Sequence, residues 1–184
     1  MPERFRRYTI ENGPFWGDGP RTALEPGPHV AVQRFMVSRL LPILGTIGDV
    51  AYPRRRAGLG FQLREFPEVC CGLHNEWFPN GENGVVYLAT RVRCAEAMQL
   101  ELGLGYDGPL KVWVDRKAVF QDPGGTNPTY LDKACVPWAA RRGAHEIVIA
   151  LASNSGRAYE IALVLKRPDA AKAARRRALP EVIL

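Results

Sequence analysis

The stretch "GYDGPLKVWVDRKAVFQDPGGTNP", residues 105–128, decides the fold class. Within "LKVWVD", Leu110, Val112 and Val114 fall on one side and Lys111, Trp113 and Asp115 on the other. That period of two belongs to a half-buried strand. The stretch therefore predicts strand, tight turn, strand, then a long polar loop built from Gly, Pro, Asp and Asn, the residues of turns. Trp113 faces away from Val112 and Val114. It either packs beneath a covering segment, for which the N-terminal arm is the candidate, or lines a binding face.

The same alternation recurs on both sides. "AMQLELGL" places Met98, Leu100, Leu102 and Leu104 inward and Gln99 and Glu101 outward. "LGFQLREF" sets Leu59, Phe61 and Leu63 against Gly60, Gln62 and Arg64, and "AYEIALVLKR" aligns Tyr159, Ile161, Leu163 and Leu165. "HEIVIAL" is a further strand. "VVYLATRVR", residues 85–93, opens apolar on both faces, as a central strand does. Turn signals ("PNGENG", "GYDG", "DPGGTNP", "SNSGR") separate these runs, and no ten-residue amphipathic helix lies between them. Frequent strands without crossover helices predict an all-β antiparallel β-sandwich rather than a parallel α/β sheet.

The flanks differ from this body. Residues 1–29, rich in Pro and Gly, read as an irregular arm packed on a sandwich domain of residues 30–168, with Phe15 and Trp16 as anchors. Residues 169–184 read as a short C-terminal helical tail, capped by Asp169 and stopped at Pro180.

Composition narrows the function classes. With 184 residues, 46% hydrophobic and 24% charged, the chain is long enough for one sizeable domain of ordinary globular make-up. The longest apolar run, "FMVSRLLPILGTIGDVAY", is broken by Arg39, Pro42, two glycines and Asp49, which argues against a membrane partner. The start "MPERFRRYTI" lacks the apolar stretch of a signal peptide, so a cytoplasmic location is expected unless the sequence is part of a secreted parent. The net charge of +6 is spread thinly, with short clusters at Arg54–Arg56 and Arg175–Arg177, and no nucleic-acid partner is expected. Cys70, Cys71, Cys94 and Cys135 fit no zinc spacing and read as free or buried thiols.

From Val30 to Asp169 the chain resembles the galactose-binding-like jelly-roll domains attached to many glycoside hydrolases. The resemblance rests on pieces in order: "VVYLATRV" with Tyr87 and Thr90, then "MQLELGLGYDGPLKVWVDRKAVF", then a loop with Asn-Pro, then "ARRGAHEIVIALASNSGRAYEIAL". The family turns after its Trp strand with Asn-Gly, where this chain has Asp115-Arg116. A two-residue type I′ turn needs φ > 0 at both positions, at about 1 kcal/mol for a non-glycine residue, so a longer turn is expected here. The resemblance implies a non-catalytic, carbohydrate-binding accessory module, often with a structural calcium, and a glycoside hydrolase as partner.

Sugar sites set an aromatic platform against the ring and fix its hydroxyls with Asp, Asn and Arg. The loops offer Trp77, Tyr106, Asp107, Asp122, Asn127, Tyr130 and Asn154 for carbohydrate binding, each of which also serves as a core cap or turn former. For calcium, the oxygen ligands at hand are Asp122, Asp132 and carbonyls near Gly124 or Asn127. No catalytic residues are assigned. Carboxylate pairs such as Glu65/Glu68 and Asp107/Asp115, and Cys70-Cys71 near His74, exist without a motif to place them. The alternative to sugar binding is an interaction or assembly domain, a homo-oligomer in which the arm and the "LPEVIL" tail dock on a sister subunit or a larger enzyme.

Overall fold

In a computed structural model the chain is all-β, and the structure describes Leu24 and residues 27–78, 80–170 and 178–184. One antiparallel sheet joins β1 (His29–Val32), β11 (Glu160–Lys166), β6 (Met98–Tyr106) and β9 (Ala134–Ala140) in that order, with β4 (Cys71–Gly72) also on β11. The other runs β3 (Gln62–Glu65), β2 (Arg34–Val37), β5 (Val85–Cys94), β10 (Gly143–Ala152), β7 (Leu110–Val114), β8 (Lys117–Asp122), with β12 (Glu181–Val182) also on β5. Among the described residues the helical elements are one turn, α1 (His74–Trp77), and a 3₁₀ turn at Ile47–Asp49.

The two inner faces form the core. Leu88 and Val92 of β5, Leu110 and Val112 of β7, and Ile147, Ile149 and Leu151 of β10 meet Leu102 and Leu104 of β6 and Ile161, Leu163 and Leu165 of β11. All of these are fully buried, as the alternation predicts. Leu63 departs from it and is 43% exposed, because β3 is an edge strand reaching past the core. Tyr159 lies just ahead of β11 and is likewise exposed.

The seven-stranded sheet is covered on its outer face as well. Residues 41–61 lie across it, packing Leu41, Ile43, Ile47, Val50, Tyr52 and Phe61 on Val85, Tyr87, Ala89, Trp113, Val148 and Ala150. Trp113 therefore packs beneath a covering segment at 4% exposure, and the cover is this internal loop. Most of the N-terminal arm, with Phe15 and Trp16, lies outside the described residues, as does the stretch 171–177 that holds most of the expected C-terminal helix. Beyond that stretch the chain ends on β12, pairing Glu181 with Arg93 and Val182 with Val92 of its own β5.

The β7–β8 turn corrects the expectation of a longer connection. Val114 pairs with Lys117, leaving Asp115 (φ 48°) and Arg116 (φ 70°) as a two-residue turn with both φ positive. The Asp115 carboxylate offsets the cost: its Oδ1 accepts the Glu146 amide at 3.0 Å, and its Oδ2 lies 2.6 Å from His145 Nδ1.

Candidate functional site

Three polar groupings stand out, and all but one of the residues singled out from sequence divide between two of them. The first is the loop after β8. Its glycines answer what "GYDG" and "DPGG" do together: a Cβ on Gly125 would stand 2.3 Å from the Gly108 carbonyl oxygen, so the two turns meet backbone to backbone. Tyr106, at the end of β6, is 2% exposed and donates its hydroxyl to Asp122 at 2.8 Å. Asp107 is equally buried and accepts the amides of Tyr159 (2.9 Å) and Glu160 (3.2 Å). Burial pushes its carboxyl above the usual carboxylate range, against the pull of those amides and the Thr129 hydroxyl. Asp122 also accepts the Gly124 amide, and Asn127 donates to the Arg157 carbonyl at 2.8 Å.

Lys133, which the sequence did not single out, holds this loop together. Its ammonium donates to the carbonyls of Tyr106 (2.9 Å), Pro128 (3.2 Å) and Thr126, and lies 4.9 Å from the Tyr106 ring centre and 5.5 Å from that of Tyr130. Burial depresses its pKa, while Asp107 and Asp122 pull it back up. Three carbonyls need three N–H donors, which only the protonated amine supplies.

The loop does not suit calcium. The Thr126 and Pro128 carbonyls face an ammonium, Asp132 pairs with Lys166, and Asp122 is engaged by Tyr106 and Gly124. Among the described residues no three His, Cys, Asp or Glu side chains converge as a metal cluster. Tyr106, Asp107, Asp122, Asn127 and Tyr130 are thus brought together; Tyr106 bonds Asp122, while Asp107 and Asn127 turn to the backbone of residues 157–160. Asn154 sits apart in the β10–β11 turn at φ 50°, a backbone role.

Trp77 lies elsewhere, at the end of α1 beside β2 and the edge strand β3. Its Nε1–H donates to the Ser38 carbonyl at 2.7 Å, which fixes the ring half-buried against the core. Arg64 crosses the ring with its guanidinium 5.6 Å from the centre and binds Glu76, Nε to Oε1 at 3.1 Å. Trp77, Gln62, Arg64, Glu76 and Arg39 line a cleft of about 200 Å³. Sequence alternation missed this grouping because it joins an edge strand to a helical turn twelve residues away.

The third grouping is a cleft at the far end of the outer face, around Arg91, Arg116, His145 and Glu146. Burial works against a charged His145 ring, but the Asp115 carboxylate and the Arg141 carbonyl together raise its pKa above the ordinary histidine value. Elsewhere the carboxylates paired on paper part company: Asp107 and Asp115 flank opposite ends of β7. Burial raises the Cys71 thiol far above its usual value, which leaves little thiolate for nucleophilic chemistry. All four cysteines are free thiols. No helix among the described residues is long and apolar enough to cross a membrane.

No protein-family model matches the chain, and no curated protein matches it in sequence. Among solved structures it is similar to a β-glucosidase from Kluyveromyces marxianus (TM-score 0.49, 10% identity), over 72% of this chain and 16% of that one. It is also similar to the PA14 domain of the antifreeze protein MpAFP (TM-score 0.49, 12% identity, 79% of this chain and 87% of that one). A third is the PA14 sugar-binding domain from an RTX adhesin (TM-score 0.42, 14% identity, 85% and 75%). The chain spans only a small part of the β-glucosidase. At identities and scores this low, function must be read from this chain's own residues.

Proposed function

We propose that this chain is a non-catalytic carbohydrate-binding module on a jelly-roll sandwich, with its ligand seated in the Trp77 cleft. The observation that carries the reading is the make-up of that cleft. A tryptophan ring anchored by its own Nε1–H stands beside a guanidinium, a carboxylate and an amide. A half-buried indole with a guanidinium across it and a carboxylate and an amide beside it suits a sugar, whose C–H groups pack on aromatic surface while its hydroxyls take directional hydrogen bonds. The jelly-roll assignment is supported by connectivity: from β5 to β7 and from β8 to β11 the chain changes sheet at each step.

Of the loop residues, Tyr130 and Asn127 stay partly accessible, outside the Trp77 cleft. Tyr106 and Asp107 are too buried to reach a ligand, and their role is to hold the loop.

The test is a broad glycan array probed with the full chain in calcium and again in EDTA, beside Trp77→Leu and Gln62→Ala. Retention of one glycan class in both buffers, lost in Trp77→Leu while its circular dichroism stays native, supports the assignment. A blank array in both buffers refutes it.

A further inference from the structure

Past Ala89 and Val148 the outer face of the seven-stranded sheet changes from apolar to charged. The next outward pairs are Arg91 opposite Glu146 and Arg93 opposite Ala144. Because Val114 pairs with Ile147, the β7–β8 turn delivers Asp115 and Arg116 to the same end of the sheet. The covering loop adds Arg56, which binds Glu146 at 2.8 Å, and Tyr52, whose hydroxyl donates to the same carboxylate. Arg56, Arg91, Asp115, Arg116 and Glu146, with His145, border a cleft of about 470 Å³ beside the small Ala144.

Both carboxylates here are already occupied. Asp115 takes the Glu146 amide and His145 Nδ1; Glu146 takes Arg56 and Tyr52. His145 also aims Nε2 at the Arg141 carbonyl, 2.8 Å away, so each ring nitrogen faces an acceptor and the doubly protonated, cationic ring satisfies both. Arg91 and Arg116 have neither a carboxylate nor a carbonyl partner among the described residues. Four cationic groups (Arg56, Arg91, Arg116, His145) thus face two carboxylates, leaving two positive charges without a counter-ion around one cleft.

We propose that this cleft binds a tetrahedral oxyanion, the phosphate or sulfate monoester of a ligand, held between Arg91 and Arg116. Planar guanidinium groups fit such an oxyanion through paired N–H···O bonds, which a single ammonium cannot offer. The engaged carboxylates keep Arg56 and His145 in place, so the oxyanion meets a fixed wall and two arginines that lose no partner on binding it. This inference is independent of the Trp77 cleft.

The test is a calorimetric titration of the full chain with inorganic phosphate and, separately, inorganic sulfate, at matched ionic strength against chloride. Saturable binding of at least one oxyanion is expected, weakened at least about tenfold by Arg91→Gln and again by Arg116→Gln, as the loss of a charged hydrogen-bonding partner requires. Arg142→Gln, on the exposed β9–β10 turn and outside the cleft, should leave affinity unchanged. Preference for phosphate would point to a phosphate-ester ligand, and preference for sulfate to a sulfated one. Absence of saturation with either ion overturns the proposal. So does equal weakening by Arg91→Gln and Arg142→Gln, which would mark general charge attraction.

Discussion

Replacing Lys133 by Met keeps the apolar stem and removes the ammonium from the centre of the 122–133 loop. The carbonyls of Tyr106 and Pro128, both partly buried, then lose their donor, while that of Thr126 is exposed and water takes over. An unsatisfied carbonyl costs about 1–3 kcal/mol, and partial burial puts these two near the lower bound. Asp107, 2% exposed, also loses the cation that offsets its charge, at roughly another 1 kcal/mol. The sum is about 3 kcal/mol. For a domain of this size each kcal/mol moves the midpoint by about 2–4 °C, so thermal unfolding should fall by roughly 6–12 °C. Circular dichroism melts of wild type and Lys133→Met, each in calcium and in EDTA, measure this. Wild type should melt at one temperature in both buffers. A variant within about 1 kcal/mol of wild type would refute the role given to the ammonium, and a wild-type midpoint lowered by EDTA would show that a metal organises the loop.

Other expectations follow from single contacts. Trp113→Ala removes a buried ring from beneath the 41–61 segment and should cost about 3–5 kcal/mol in urea unfolding, with glycan retention by the folded fraction unchanged. Gly125→Ala forces a Cβ to within 2.3 Å of the Gly108 carbonyl, so a loss of about 1–3 kcal/mol is expected, and a neutral thermal melt would contradict the close approach. His145 has a raised pKa in the fold, so its contribution to stability is complete below the unfolded value of about 6.5 and fades as pH rises through the higher folded value. Unfolding of His145→Gln across that window should show a flatter pH profile than wild type. A thiol reagent should label Cys135 in the native chain, slowly because its thiol is pushed up to about 11, and reach Cys70, Cys71 and Cys94 only on unfolding.

What the sequence determined by itself was the set of strands that bury one face or both. Leu102, Leu104, Val112, Ile161 and Leu163 alternate with period two because each strand presents successive side chains to opposite faces, a property of adjacent residues. "VVYLATRV" read as central, and β5 is indeed covered on both sides. The rest depended on contacts between residues far apart in the chain. What lies over Trp113 is set by a loop more than fifty residues away, and α1 had to fold back on β3 before Trp77, Arg64 and Glu76 met. Asp115-Arg116 argued locally for a longer turn, and the two-residue turn is held by Glu146 and His145, about thirty residues on. Lys133 looked like any surface lysine, because its three acceptors come from residues 106, 126 and 128. Alternating burial follows from the geometry of one strand, whereas a polar group finds its partner only after distant segments pack, and only the tertiary structure could place these sites.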